Sequence, residues 1–252
     1  LEDENAAKRF YEVLPLGVSI VSFPNFYEAA LEKIPVSSVN ESWFLENLVE
    51  IKKRVYEFFK RIFDAAFSII LLFPTILLLP LIGLFIKIES PGPIFYRQKR
   101  VGKDGKIFEI IKFRSMYALS SDGGAEKNGV QWASLNDSRI TKIGRILRKT
   151  RLDELPQLFN ILKGEMSFIG PRPERPEFIE ELQKQIPHYA MRQLIKPGLS
   201  GWAQIKFPYG ASVNDAMEKL QYDLYYIKNR SLILDLAIAL RTLALIIRSE
   251  GR

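Results

Sequence analysis

The stretch from Arg148 to Pro173, R-K-T-R-L-D-E-L-P-Q-L-F-N-I-L-K-G-E-M-S-F-I-G-P-R-P, sets two adjacent carboxylates, Asp153 and Glu154, directly behind a basic segment. Arg145, Arg148, Lys149 and Arg151 surround the approach to the pair. An apolar, helix-like run follows (Leu155, Leu158, Phe159, Ile161, Leu162), then a stiff Gly170-Pro171-Arg172-Pro173 loop. Neighbouring acids in a basic setting suit a place where a metal ion and phosphate groups meet. A carboxylate can hold Mg²⁺ or attack phosphorus, while Arg and Lys neutralise phosphoryl oxygens. A second reading stays open on spacing alone. Thr150 and Asp153 are three apart, as in a helix capping box, and acids are favoured at a helix start by its dipole.

Working towards the N-terminus, Asp137 is expected to cap a helix with an apolar stripe (Ile140, Ile143, Leu147) and a basic one (Arg139, Lys142, Arg145, Arg148) that leads into the acidic pair. Ser120 to Asn136, rich in Gly, Ser and Asp, reads as a mobile polar loop able to cover a site. Ile94 to Val101 and Lys106 to Arg114 read as strands joined by Gly102-Lys103-Asp104-Gly105, a strong hairpin signal. Ser90-Pro91-Gly92-Pro93 is a turn. Before it, no charge appears between Asp64 and Lys87, a stretch that reaches roughly 33 Å as a straight helix, enough to cross a bilayer core. Pro74 and Pro80 interrupt that run, and both of its flanks are basic. An ordinary span would carry one basic flank outside, against the positive-inside tendency; a helix broken at proline that returns to the same face would not. The sequence therefore predicts a re-entrant helix over about 62–88. Glu46 to Arg61 reads as a basic amphipathic helix of the kind that lies on anionic membrane. Residues 1–50 are expected to be a connector or the remnant of an upstream domain, with a strand over Val18–Phe23 and a short helix over Tyr27–Leu31. The chain opens on Leu1 and reads as a fragment.

Towards the C-terminus, Pro176 to Gln185 is expected to be a charged surface helix. Lys196 to Gln204 packs two glycines, a proline and an indole into one loop, which lets backbone approach a ligand closely or simply makes a turn. Asn214 to Asn229 reads as a helix with Tyr222, Asp223, Tyr225 and Tyr226 clustered. Leu232 to Arg248 reads as a core or membrane-interface helix.

With no cysteine and a single histidine, His188, thiolate chemistry is excluded and a zinc site is not expected, so any metal is expected to be mainly oxygen-bound, Mg²⁺ or Mn²⁺. The formal charge of +7 implies an anionic partner. No nucleic-acid reader motif accompanies it, and nucleic acid is not expected as that partner.

Several blocks, in order, resemble the bacterial sugar transferase family, the monotopic phosphoglycosyl transferases. They are Lys60-Arg61-Ile62-Phe63-Asp64, Ser90-Pro91-Gly92-Pro93, Lys112-Phe113-Arg114-Ser115-Met116 and Leu152-Asp153-Glu154-Leu155-Pro156-Gln157. Then come Met166 to Pro173, Lys196-Pro197-Gly198 with Gly201-Trp202-Ala203-Gln204, and Tyr222-Asp223-Leu224-Tyr225-Tyr226. Pro208 to Ser212 and the closing Gly251-Arg252 are similar to the long-chain, exopolysaccharide-initiating branch, whose members carry an additional N-terminal region. The resemblance implies an α-rich α+β fold: a monotopic membrane protein with a Pro-broken re-entrant helix, amphipathic interface helices and a small β-hairpin, its catalytic domain spanning 51–252. It implies transfer of a sugar-1-phosphate from a UDP-sugar to a polyprenol (undecaprenyl) phosphate, with release of UMP. Asp153 would be the nucleophile and Glu154 the Mg²⁺ ligand, with Arg148 and Arg172 on phosphoryl oxygens and Lys112, Arg114, Lys196, Gln204 and Asp223 lining the site. It further implies contact with membrane phospholipid, the cytoplasmic face of the bacterial inner membrane, and a homo-oligomer built through the missing N-terminal region. The family often breaks its membrane helix at Ser-Pro, whereas Phe73-Pro74 stands here. Two rival readings remain at this point: direct attack by the lipid phosphate, with the acids only binding metal, and a non-catalytic membrane adaptor of polysaccharide assembly.

Overall fold

In a computed structural model, residues 11–12, 14–17, 20–48, 53–120, 123–125, 137–207, 210 and 212–248 are described. Most of the expected polar loop between Ser120 and Asn136, the Pro208–Tyr209 and Ala211 positions, and the closing Gly251-Arg252 lie outside them. So do Val18 and Ser19 of the expected first strand.

Helix α1 (Phe23–Leu31) begins with Pro24 in its first turn, where the missing N–H costs nothing, and ends on a left-handed Glu32. This corrects the expected strand at its end: Phe23 is already helical. Helix α2 (Glu41–Asn47) is capped by Asn40, whose side chain accepts from the Trp43 N–H. The expected single helix over Glu46–Arg61 is divided, because α2 stops at Asn47 and α3 (Arg54–Glu89) starts afresh.

Helix α3 runs for 36 residues with Pro74 and Pro80 inside it. It buries Asp64, Ser68, Leu72, Thr75, Ile82 and Ile86 and exposes Phe67, Ile70, Phe73, Ile76, Leu77, Leu81, Leu84 and Ile88. Beside Pro74, the Thr75 hydroxyl donates to the Leu71 carbonyl at 2.7 Å, and the helix runs on through both prolines, so the expected break is not seen. Both ends of α3 are tied to the rest of the chain. At one end Lys60 pairs with Asp235 at 2.6 Å, and Arg61 donates to the Ile161 and Leu162 carbonyls at 2.6 Å each. Asp64 accepts from the Ser167 hydroxyl and the Phe168 N–H at 3.1 Å. At the other end the Glu89 carboxylate accepts from the Lys142 and Ile143 amides. Lys60, Arg61 and Asp64 of the Lys60-Arg61-Ile62-Phe63-Asp64 block are thus docking side chains, while Ile62 and Phe63 between them are exposed.

Strands β1 (Phe95–Val101) and β2 (Ile107–Phe113) pair antiparallel, with Phe95 opposite Phe113 and Val101 opposite Ile107. Their turn places Asp104 and Gly105 at positive φ, as its Asp-Gly pair requires. Helix α4 (Lys142–Lys149) is capped by Thr141, whose hydroxyl accepts from the Gly144 N–H at 2.9 Å. Asp137 is not the cap; its carboxylate binds the Arg139 backbone and guanidinium. The short α5 (Leu158–Lys163) leads to β3 (Ser167–Ile169), which pairs in parallel with β4 (Gly198–Ser200), a second sheet that the periodicity does not announce. Helices α6 (Pro176–Gln185), α7 (Trp202–Lys206), α8 (Val213–Asn229) and α9 (Leu232–Ile247) complete the fold.

The main core gathers Ile34, Val36 and Phe44 from the N-terminal segment with Ile179, Leu182, Trp202, Leu220, Leu224, Ile227 and Ile238. Two smaller cores pack α3 against the hairpin, one around Leu72, Ile110 and Ile161, the other around Ile82, Ile86, Phe113 and Leu147. The fold is α-rich with a small antiparallel hairpin, as expected.

Candidate active site

Helix α4 ends at Lys149, and Arg151 turns the chain through the left-handed region (φ 58°) into a 3₁₀ segment, Leu152–Gln157. A non-glycine residue held there is strained and has to be fixed by its surroundings. The Thr150 hydroxyl donates backwards to the Ile146 and Leu147 carbonyls, so it does not cap Asp153. The capping-box reading is corrected: the Thr150 hydroxyl is spent on helix carbonyls and makes no capping bond to this turn. The 3₁₀ segment packs against β2, which brings Lys112 over the pair.

The two carboxylates are both buried and electrostatically unlike. Lys112 Nζ lies 2.9 Å from Glu154 Oε1, Arg172 Nη2 3.5 Å from the same oxygen, and Arg151 Nη1 3.7 Å from Oε2. Burial works to raise the Glu154 carboxyl; Lys112, Arg172 and Arg151 overcome it and hold the group well below the usual carboxylate range. Asp153 has the reverse balance. Burial, then the neighbouring Glu154 charge, pushes it up to about 6 against the pull of Lys112, Arg148 and Arg151. Its Oδ1 is buried and makes no hydrogen bond. A buried, unpaired carboxylate oxygen is costly, and such groups concentrate where chemistry needs them.

The pair opens into a cavity of about 360 Å³ whose lining includes Arg100, Arg139, Arg148, Arg151, Arg172 and Arg192. Arg148 is aimed by its Nε–H to Ser115 Oγ, 2.8 Å. The loop carrying Arg172 is held by two further arginines. Arg192 donates to the Arg172 carbonyl and Arg100 to the Pro173 carbonyl, each at 3.0 Å. Arg192 in turn pairs with the buried Asp223 at 2.9 Å and donates to the Tyr189 hydroxyl at 2.6 Å.

Of the residues singled out in the sequence, Asp153, Glu154, Lys112, Arg148 and Arg172 come together at this cavity. Gln204 reaches it through Arg172, whose Nη1 donates to Gln204 Oε1 at 3.2 Å. Arg114 lines the wall, but its guanidinium is spent on the Pro91, Ser90 and Ile86 carbonyls, where it closes the end of α3. Asp223 stands behind the wall as the partner of Arg192. Lys196 points elsewhere, with its ammonium beside Gly164 and Arg61; burial, then the Arg61 charge, lowers its pKa. Arg192 and Tyr189 carry no sequence signal, since an isolated Tyr-Ala-Met-Arg matches no site pattern.

Among the described residues no group of three or more His, Cys, Asp or Glu side chains gathers for a metal. The donor set still fits a hard cation of the Mg²⁺ type, which typically takes one or two carboxylates and completes its shell with water and substrate phosphate oxygens.

A buried carboxylate pair ringed by arginines thus stands in the same chain as a helix long and apolar enough to cross a membrane. The sequence profile of the bacterial sugar transferase family matches residues 55–249, and the chain belongs to that family. It is 45% identical over 199 residues, 78% of this chain and 45% of the other, to the UDP-N-acetylgalactosamine-undecaprenyl-phosphate N-acetylgalactosaminephosphotransferase of Aeromonas hydrophila. It is 43% identical over 163 residues, 64% of this chain and 33% of the other, to the UDP-glucose:undecaprenyl-phosphate glucose-1-phosphate transferase of Xanthomonas campestris pv. campestris. It is 36% identical over 247 residues, 92% of this chain and 50% of the other, to the undecaprenyl-phosphate galactose phosphotransferase of Salmonella typhimurium. The chain therefore spans a third to a half of the length of these relatives.

Proposed function

We propose that this chain carries a phosphoglycosyl transferase site that moves a sugar-1-phosphate from a UDP-sugar to undecaprenyl phosphate through a covalent Asp153 intermediate. The observation that carries the reading is the contrast inside the pair: Glu154 is ionised and ringed by cations, while Asp153 keeps a buried oxygen with no partner. A hydrogen-bonded carboxylate is a poor nucleophile; an unpaired one beside cations that neutralise phosphate is a good one. Asp153 forms a bond to the sugar-side phosphorus as the bond to the α-phosphate oxygen breaks, and UMP leaves with that electron pair. A phosphate oxygen of the lipid then attacks the same phosphorus and frees the Asp153 carboxylate. Dividing the transfer lets a water-soluble donor and a lipid acceptor use the site in turn. Mg²⁺, held by Glu154 with donor phosphate oxygens, would neutralise charge on the diphosphate. Arg148, Arg172 and Lys112 bind and orient the phosphoryl groups.

A monotopic attachment at the inner, cytoplasmic leaflet belongs to the same proposal. A helix crossing a bilayer meets lipid all around its apolar middle. Here Leu72, Ile82 and Ile86 are buried against the charged domain, and both ends of α3 dock to it. That pattern supports an apolar face dipped into one leaflet beneath the site.

The test is UMP release from a panel of UDP-sugars by the chain in nanodiscs with Mg²⁺, with and without undecaprenyl phosphate. Release with one donor, accompanied by an adduct of sugar-phosphate mass on Asp153 when acceptor is withheld, is the expected result. Release that requires acceptor, with no adduct, overturns the covalent step. Chelation with EDTA is expected to stop release and added Mg²⁺ to restore it.

A further inference from the structure

The segment that precedes the family-matched region packs against the helix that adjoins the site. Trp202, which opens α7, is buried, and its indole N–H donates to the backbone carbonyl of Glu32 at 2.9 Å. Glu32 sits at φ 54°, the left-handed end of α1, and that conformation aims the carbonyl at the indole. The Glu32 carboxylate also pairs with Lys206, whose ammonium lies 4.7 Å from the centre of the Trp202 ring. The same segment is held to α8 by Lys33–Glu218, by Glu28 with Lys228 and Asn229, and by the Ile34 N–H donating to the Gln221 carbonyl. Its Ile34, Val36 and Phe44 are buried in the main core.

Helix α7 in turn fixes the loop that carries Arg172. β4, which leads into α7, pairs with β3, which leads into that loop. The two backbones touch so closely that a Cβ on Gly201 would lie 2.1 Å from the Gly170 carbonyl oxygen, and one on Gly198 2.1 Å from the Gly170 nitrogen. One turn further, Gln204 accepts from Arg172 Nη1, while Arg172 Nη2 faces Glu154. A continuous line of contacts runs from Glu32 through Trp202 and Gln204 to the guanidinium beside the acidic pair.

We propose that Glu32 is a positioning residue for Arg172: its carbonyl holds Trp202, which sets α7 and the Gly170–Pro173 loop and so places the guanidinium for the donor diphosphate. The donor itself rests on the function proposed above, so the probe is inorganic diphosphate, bound without metal to the full chain in nanodiscs and followed by calorimetry. Trp202→Phe, which removes the N–H and keeps a ring, is expected to weaken diphosphate about fivefold, the size of one net hydrogen bond. In an Arg172→Ala background the same change is expected to have no effect. A second pair of variants removes any dependence on how the core tolerates Phe. Glu32→Val disfavours the left-handed conformation and is expected to weaken binding like Trp202→Phe, whereas Glu32→Gly preserves the carbonyl and is expected to bind as the unaltered chain does. Equal losses from Trp202→Phe with and without Arg172 would overturn the proposal, as would Glu32→Val and Glu32→Gly behaving alike. UMP release is measured alongside. Its absence from the unaltered chain while the diphosphate coupling persists would count against the transfer reading and leave the positioning role standing.

Discussion

Two aspartates in this fold, the half-buried Asp235 and the buried Asp153, are built on opposite rules. Asp235, on α9, accepts from the Tyr56 hydroxyl at 2.8 Å, Lys60 Nζ at 2.6 Å and the Tyr226 hydroxyl at 2.6 Å. Asp153 has an oxygen with no hydrogen bond at all, and an ionised glutamate next door. A carboxylate whose lone pairs are all engaged fixes one arrangement of the chain and has little left for chemistry. One that is desolvated and left open is costly to the fold and available to a substrate. The first kind docks α3 to α9; the second kind makes the cavity a site.

The widest separation between the two is expected from replacing each in turn. Asp153→Asn keeps the shape of the side chain and removes the nucleophile, so UMP release is expected to fall by at least about a thousandfold, as when a covalent nucleophile is lost elsewhere. Its stability is expected to match or exceed that of the unaltered chain, because the substitution removes a charge that burial and Glu154 already oppose. Thermal melting in detergent checks the second half. A large drop in melting temperature would make Asp153 a structural residue and erase the contrast.

Asp235→Ala probes the other rule. It removes the carboxylate that the buried Lys60 pairs with, leaving the charge of Asp64 to oppose it, and is expected to cost about 3 kcal/mol of stability. Urea unfolding of the reconstituted chain reads that loss, while UMP release per folded molecule is expected to hold. If release falls with little loss of stability, the α3–α9 junction belongs to the site after all.

The same contrast explains what could be read from the residues alone. Asp153 and Glu154 were legible because two adjacent acids among arginines are a local pattern, as is the Asp-Gly hairpin and the uncharged run before Lys87. Arg61 and Asp64 could be seen as part of a motif, yet what they bind, the α5 carbonyls and β3, lies about a hundred residues away. The β3–β4 pair has three residues in each strand, too few for a period of two to register. Asp223 and Lys196 stand in equally suggestive motifs. Only tertiary packing decides that one props Arg192 and the other turns towards Arg61. Asp137 lost its expected capping role to Thr141 because the Arg139 guanidinium engages its carboxylate. The N-terminal segment reads as a connector because Pro15, Pro24 and Pro35 break it into pieces too short to enclose a core of their own; it is anchored by Ile34, Val36 and Phe44 entering a core supplied by distant helices.

The smallest effect is the most specific to Asp153. Its carboxyl is pushed up to about 6, so in the free protein the attacking form is lost as pH falls through that value. With saturating lipid, kcat/KM for UMP release is therefore expected to be level above about pH 7 and to fall about tenfold per unit well below 6. Glu154 cannot produce that limb, because Lys112, Arg172 and Arg151 keep it ionised far into acid. The cation that acts most strongly to lower Asp153 is Lys112, so Lys112→Met is expected to move the limb to higher pH by about one unit. A limb that stays in place in this variant would mean that the titrating group is neither Asp153 nor Glu154, since Lys112 lowers both.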